Sequence, residues 1–548
     1  MTLFTAIIFT TGAVTLALEL LASRIMTPYF GVSLFIWTGI LSITLLSLAL
    51  GYYLGGRLAV RAAQRPDYTE RLRYLFLGMP AVSAISIGAA CLVYPVTFLH
   101  LASFSLVWGS FVACLILLFV PLVTISAMNP LLIALRSSGQ GDRGVVGDSG
   151  SGLVFFISTV GSVLGVWLTA FLFIPNLANA TSVLMLGAML SSMSLLAGLF
   201  APQFGGGLKK RMVMIAVVGL MICGGILAGR SSLLKNDREI VFNNATWTVE
   251  KEYLSLYGNI KVLARTRLMP SGAGASGPYD RQIIYYQDGM VHGVINPQGE
   301  SQVVYSYALE GLAKAFLSPG DHALVLGLAG GVVPMRLARQ GVVVEAVDIN
   351  PDSVQAAEDF FGYDAAIVKT YRQDARSFIN QCTQRYDAVI VDLFTGDGIP
   401  DYLLTRNFFA DMRQCLRHDG VIVINAFTVP EHFKASYHMF KTLRSVFRHL
   451  VVFHDDIRDR DEPMHLFMVA TDREAVGNIS ISVGGVPPGL LKDLQRIFAA
   501  PRPLDPAILA QATVVTDELN IFPILNQDIY MAYRRKLLEI IPPAYLVN

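Results

Sequence analysis

The sequence predicts two unlike parts: an N-terminal α-helical transmembrane bundle of about seven spans, then a C-terminal α/β domain with an open, mostly parallel sheet and a small β-domain ahead of it. Three observations carry that prediction. Of the 548 residues 53% are hydrophobic and 15% charged, yet residues 1–230 hold only 12 of the 42 Lys and Arg and 5 of the 41 Asp and Glu. Those 230 residues are filled by apolar runs of about 20 residues, the length that crosses a bilayer. From His322 the pattern changes to short apolar runs alternating with helical ones, which is how βαβ units read. The length exceeds what one core organises. Neither part is basic enough for a nucleic-acid partner.

Seven spans are read in the first part, over residues 4–23, 33–56, 75–97, 104–127, 151–174, 180–200 and 212–229. The fourth is expected to split into a helix and a re-entrant piece, because Pro121 and Pro130 each remove a donor and clash one turn back. Glycines at four-residue spacing, Gly51 with Gly55, Gly161 with Gly165 and Gly225 with Gly229, are expected to let helices approach closely. The first run lacks a basic lead and a small-residue cleavage site, so it reads as a membrane helix rather than a signal peptide. Glu19 lies inside that run. A carboxylate within lipid is a functional candidate by default, either paired with Arg24 or attracting a cationic amine substrate; Asn129 is a weaker candidate.

Basic residues cluster in alternate loops: Arg57, Arg61, Arg65, Arg71 and Arg73; then Arg136 and Arg143; then Lys209, Lys210 and Arg211. This places the N-terminus inside, and an odd number of spans places the C-terminal domain outside. Five cysteines without a C-x-x-C indicate neither a disulfide framework nor a zinc site, and no metal is expected.

After a linker, residues 231–240, the alternation from Ile240 to Asn296 reads as antiparallel strands with an exposed Gly/Ser/Pro loop at Met269–Asp280. The domains are therefore drawn at 1–230, 231–300 and 301–548. Val303 to Phe316 is a helix carrying Tyr305 and Tyr307. Next come an apolar strand, His322 to Leu326, a glycine turn with Gly327, Gly330 and Gly331, a helix stopped by Gly341, and a second strand ending at Asp348, 21 positions after Gly327. Glycines let backbone approach a ligand, and an acid at that spacing can accept both hydroxyls of a ribose. Asp348 also fits a purely structural part, as a cap ahead of Pro351. Two further strands end near acids, Asp374 and Asp392. A ligand of an open α/β sheet sits at such strand ends.

These strands, with LSLYGNIKV (Leu254–Val262), YYQDGMVHG (Tyr285–Gly293) and YDAVIVD (Tyr386–Asp392), resemble the Rossmann-like fold of S-adenosylmethionine-dependent methyltransferases. More closely they resemble the spermidine synthase (polyamine aminopropyltransferase) family, in the subgroup with an N-terminal membrane domain. The resemblance spans roughly Phe242 to Asn526. It implies that Gly327, Gly330, Gly331, Asp348, Asp374, Tyr257 and His292 bind an adenosyl donor, with Asp348 on the ribose and Asp374 near the adenine amino group. Asp392 would be catalytic, and Tyr305 would wall the substrate pocket. The chain departs from the family where its acids meet amines. Ala329 stands for the acid that holds the donor's amine, and Thr395 for the second acid of D-x-x-D. Gly258 and His292 stand for two glutamines. Asp397, between Gly396 and Gly398 in DLFTGDGIP, is the acid nearest the missing one and the second catalytic candidate, since the glycines leave that loop free to bend inward.

The resemblance implies aminopropyl transfer from decarboxylated S-adenosylmethionine to a small amine or polyamine. The alternatives are methyl transfer from S-adenosylmethionine to an amine or lipid, or a non-catalytic adenosyl-binding membrane sensor or transporter. A multi-pass protein of the plasma (inner) membrane, with the lipid bilayer and a second copy in a homodimer as its expected partners, follows. Cytosolic synthesis of the donors argues for an inward-facing domain and the loop charges for an outward-facing one; both stay open.

Overall fold

The computed structural model describes all residues except 1, 33, 138–147, 201–205, 234–238, 269–280, 395–397, 455–462, 475–478, 480 and 548. It divides into two compact units, Met1–Asn236 with Pro543–Asn548, and Asp237–Pro542.

In the first unit seven helices are long and apolar enough to cross a membrane: Leu3–Phe30, Ile36–Ala63, Tyr68–Phe104, Leu106–Ser137, Ser151–Asn176, Asn179–Phe200 and Gly207–Gly229. The fourth differs from its expectation. It stays helical throughout, with a π turn at Leu115–Phe119 and a junction at Ala127. Each irregularity lies within one turn before a proline, where the ring would clash with the carbonyl four residues back. A second π turn, Thr169–Phe173, precedes Pro175 in the same way.

The small-residue spacing is used at two of its three places. A Cβ on Gly161 or Gly165 would lie 2.0 or 2.1 Å from the carbonyl oxygens of Phe9 and Ala13, so the first and fifth spans touch backbone to backbone. Ser162 Oγ donates to Gly12 O across that seam. Gly51 and Gly55 seat the second span against Ser126 and Ala127. Gly225 and Gly229 face open space. Glu19 is buried at 9% exposure, and its Oε1 has no hydrogen-bond partner among the described residues.

The second unit begins with a five-stranded antiparallel meander: β1 (Ile240–Phe242), β2 (Ala245–Tyr253), β3 (Ile260–Arg267), β4 (Arg281–Gln287) and β5 (Met290–Ile295). Two-residue hairpins close it where φ is positive at both central positions, Asn243–Asn244 and Asp288–Gly289. This is the turn whose twist suits a hairpin. The Met269–Asp280 loop lies outside the described residues.

A seven-stranded sheet follows: β6 (His322–Leu326), β7 (Val343–Asp348), β8 (Lys369–Arg372), β9 (Tyr386–Val391), β10 (Leu416–Thr428), β11 (His449–His454) and β12 (Met464–Thr471). Its order is β11-β12-β10-β9-β6-β7-β8. β6 to β10 are parallel, and β12 and β11 add antiparallel at one edge. Alternate residues of β6 enter two cores, Leu324 and Leu326 on one face, Ala323 and Val325 on the other. Burial on both faces is why the strand reads as an unbroken apolar run. The fold is therefore an open, mostly parallel α/β sheet with an antiparallel edge. Its order reverses at β6, which puts the switch point between the carboxyl ends of β6, β7 and β9.

Candidate functional site at the switch point

The glycine turn joins β6 to the short helix Val332–Ala338. Gly327 has φ +94°, and a Cβ there would stand 2.2 Å from the backbone oxygen of Asp392. Only glycine lets the turn lie against the end of β9. Gly331 is also left-handed, and its missing Cβ makes room for the Tyr363 ring, as that of Gly330 does for Phe361. Ala329 adopts φ +45° without being glycine, so the turn keeps its shape without the acid the family carries there.

Asp348 ends β7 and is already engaged. Its Oδ2 accepts from Leu328 N at 2.9 Å, and its Oδ1 accepts from Asn350 N at 2.8 Å and Ser353 Oγ at 3.2 Å. Burial pushes its carboxyl up and these hydrogen bonds oppose the rise. The same side chain thus ties the glycine turn to the next helix and leaves about one lone-pair direction for a ligand. Asp374 has a structural duty as well. It caps helix Ala375–Asn380 through Ser377 N at 2.8 Å and accepts from Tyr402 OH at 2.9 Å. Arg376 holds that loop, donating to Tyr402 O and pairing with Asp517.

Asp392 sits one residue beyond β9. Burial raises its carboxyl to about 6, opposed by Asn425, whose Nδ2 donates to Oδ1 at 2.9 Å. Tyr305 senses the Asp392 charge and stacks on His465 at 5.2 Å. Its hydroxyl donates to the carbonyl of His292. His292 is kept neutral by burial, its pKa pushed down to about 4, and its Nε2 finds no partner among the described residues. A buried ring nitrogen without a partner is free to take a hydrogen bond from a ligand. The Asn350 side-chain amide nitrogen is unpartnered in the same way. These two atoms fit an adenosyl donor rich in polar groups.

The expected residues therefore separate. Gly327 lies against Asp392, Asp348 is hydrogen-bonded into the same turn, and Tyr305 links His292 to the Asp392 side of the site. Tyr257 stays 48% exposed; its backbone N–H donates to Ser255 Oγ and its carbonyl accepts from Gln287 Nε2. Glu19 belongs to the other unit, and Asp397, with Thr395, lies outside the described residues. Gly258 has a local reason: at φ +122° its Cβ would fall 2.1 Å from Asp288 Oδ2, which accepts no side chain there. Sequence reasoning missed Asn425, His465, Tyr402 and Tyr533. Only Asn425, a polar residue inside the apolar run of β10, left a signal.

The cysteine expectation is corrected. Cys382, just past helix Ala375–Asn380, and Cys415, ending helix Arg406–Cys415, are paired as a disulfide with Cα atoms 5.9 Å apart. The two helices share one core on the same face of the sheet, a proximity that a separation of 33 residues hides. Among the described residues no group of three His, Cys, Asp or Glu is arranged to hold a metal.

Residues 302–478 match the spermine/spermidine synthase domain family. Among characterised proteins the chain is similar to a polyamine aminopropyltransferase of Vibrio vulnificus, 30% identical over 207 residues, which are 36% of this chain and 65% of that one. It is also similar to an N-terminal histidine N-methyltransferase of Emericella nidulans, 32% identical over 111 residues, 19% of this chain and 20% of that one. The chain thus spans less than two thirds of either relative. A crystal structure of a probable spermidine synthase from Corynebacterium glutamicum aligns with a TM-score of 0.36 at 18% identity, covering 42% of this chain and 82% of that one.

Proposed function

We propose that this chain is a membrane-bound transferase moving an aminopropyl group from decarboxylated S-adenosylmethionine to a small amine or polyamine, because residues 302–478 match the spermine/spermidine synthase domain family. The observation that carries the reading is Asp392: a buried carboxylate with a pKa near neutrality, at the carboxyl end of β9 and in contact with the glycine turn. In such a transfer the amine nitrogen attacks the carbon beside the sulfonium, the carbon–sulfur bond breaks towards the thioether, and the amine's proton needs an acceptor. A carboxylate with a pKa of about 6 is ionised at neutral pH and basic enough for that step. Alignment of nucleophile and sulfonium supplies the rest.

Asp348 and Asp374 are assigned to the adenosyl half of the donor, with His292 and Tyr257 beside it. Asp397 is assigned to the acceptor amine. Glu19 is assigned to a cationic substrate in the membrane unit, and that unit to the inner membrane. Methyl transfer from S-adenosylmethionine is the second reading. It is favoured by Ala329, which offers no carboxylate to the ammonium of an aminopropyl donor, and by the match to an N-methyltransferase.

Incubation of the purified full chain with each donor and a panel of amines and lipids, followed by mass spectrometry of the products, tests both. An added aminopropyl unit that disappears in Asp392→Asn is the expected result. An added methyl group would select the second reading, and adenosyl binding without any product would leave the chain a sensor.

A further inference from the structure

The register of β10 with β12 pairs Asn425 with Phe467 and Phe427 with His465. Period-two alternation then puts all four side chains on one face of the sheet. Asn425 is buried between two polar partners. Its Nδ2 donates to Asp392 Oδ1 at 2.9 Å, and its Oδ1 lies 2.9 Å from His465 Nδ1. The His465 ring stacks on Tyr305 at 5.2 Å and on Phe467 at 5.8 Å, with Phe427 at 4.5 Å. We propose that His465, acting through Asn425, is a positioning residue for Asp392, holding the amide with its N–H group turned towards the carboxylate.

The reasoning is one of polarity. A side-chain amide has a donor end and an acceptor end, and turning it over would aim the carbonyl oxygen at the Asp392 carboxylate. Nothing in Asp392 alone prevents that while the acid is protonated. With Asn425 Oδ1 facing it, the Nδ1 of a neutral His465 carries the proton, and in that tautomer turning the amide over would set two donors against each other. Burial keeps that ring neutral by pushing its pKa down to about 3. The chain therefore runs one way, from His465 Nδ1–H to Asn425 Oδ1 and from Asn425 Nδ2–H to Asp392 Oδ1, and favours the ionised acid. Among the described residues Tyr305 on helix Val304–Lys314 feels the Asp392 charge, and Tyr533 on helix Gln527–Ile540 lies beside Tyr305 and stacks on Phe427. Both are pushed above their ordinary values by burial and stay neutral. The inference rests on the proposed transfer only for its catalytic meaning; the hydrogen-bond chain stands on its own distances.

The test is an infrared pH titration of the full chain in detergent, following the carbonyl stretch of the protonated acid and assigning it by its loss in Asp392→Asn. The wild-type midpoint is expected near 6. His465→Phe keeps the stacking but removes the N–H, and is expected to raise the midpoint by about one pH unit. His465→Gln, whose amide can donate in its place, is expected to restore it. A midpoint unmoved in His465→Phe would overturn the proposal. If that variant does not fold, Asn425→Leu reads the same chain from its middle, and an unmoved midpoint there overturns it equally. A shifted midpoint in a protein that transfers nothing to any amine would sink the transferase reading and leave the positioning role standing.

Discussion

Burial holds the Asp392 carboxyl near 6, well above the ordinary carboxylate range, and this bears on activity and stability with opposite signs. The folded protein keeps its proton at a pH where the unfolded chain has lost it. Stability therefore falls as pH rises from about 4 to about 6 and stays lower above that, by about 1–3 kcal/mol. Asp392→Asn should accordingly melt at higher temperature than wild type at pH 7 while transferring nothing; a melting point that falls would show that the carboxylate is not the destabilising group. Transferase activity should rise with pH through about 6, the range in which Asp392 ionises. Asp348 behaves differently, since it serves both the ligand and the fold. Asp348→Ala removes the acceptor for Leu328 N, Asn350 N and Ser353 Oγ. It should weaken adenosyl binding at least about tenfold and lower the melting temperature as well. Calorimetry with methylthioadenosine on folded variant separates the two effects, and undiminished affinity would remove Asp348 from the donor site.

At the scale of elements, glycines mark where backbones meet. Gly258 stands where the family has a glutamine, and its φ of +122° with Asp288 Oδ2 2.1 Å from a notional Cβ means that restoring the glutamine should not restore a contact. Gly258→Gln should instead cost about 1–3 kcal/mol through backbone strain and a displaced hairpin. A stable Gly258→Gln protein with tighter donor binding would contradict this. In the membrane unit Gly161→Leu would drive a side chain into Phe9 O and part the first and fifth spans, whereas Gly225→Leu meets open space. Thermal stability in detergent should drop sharply for the first and hardly change for the second.

For the whole molecule the open matter is sidedness. If the seven long apolar helices among the described residues cross a membrane, the basic cluster Arg57 to Arg73 argues for an outward-facing second unit. Alkaline phosphatase and green fluorescent protein fusions after Arg65 and after Arg230 are expected to report inside and outside respectively. Thiol alkylation with and without reductant should reveal two additional cysteines only after reduction. Fluorescence from the Arg230 fusion, with both cysteines free, would put the domain in the cytosol beside the ready supply of adenosylated donors.

Composition and periodicity alone determined the long apolar helices, the open α/β sheet and the three acids near strand ends. Each depends on residues close in sequence: about twenty apolar positions in a row, a glycine turn between two apolar runs, an acid one step past a strand. Other features depend on residues far apart that only the packed chain brings together. Sequence spacing could not pair Cys382 with Cys415, whose helices meet because both cover one face of the sheet. It could not show that Asp374 caps the helix after it, or that Asn350 rather than Asp348 caps the helix at Pro351 while Asp348 ties Leu328 N to Asn350 N, since these are hydrogen bonds and not residue types. Nor could it find His465, which lies 73 positions from Asp392 and reaches it through Asn425 only because β12 runs antiparallel to β10 in one particular register. A one-residue slip of that register would turn His465 to the opposite face of the sheet, so tertiary structure alone decides what surrounds the acid.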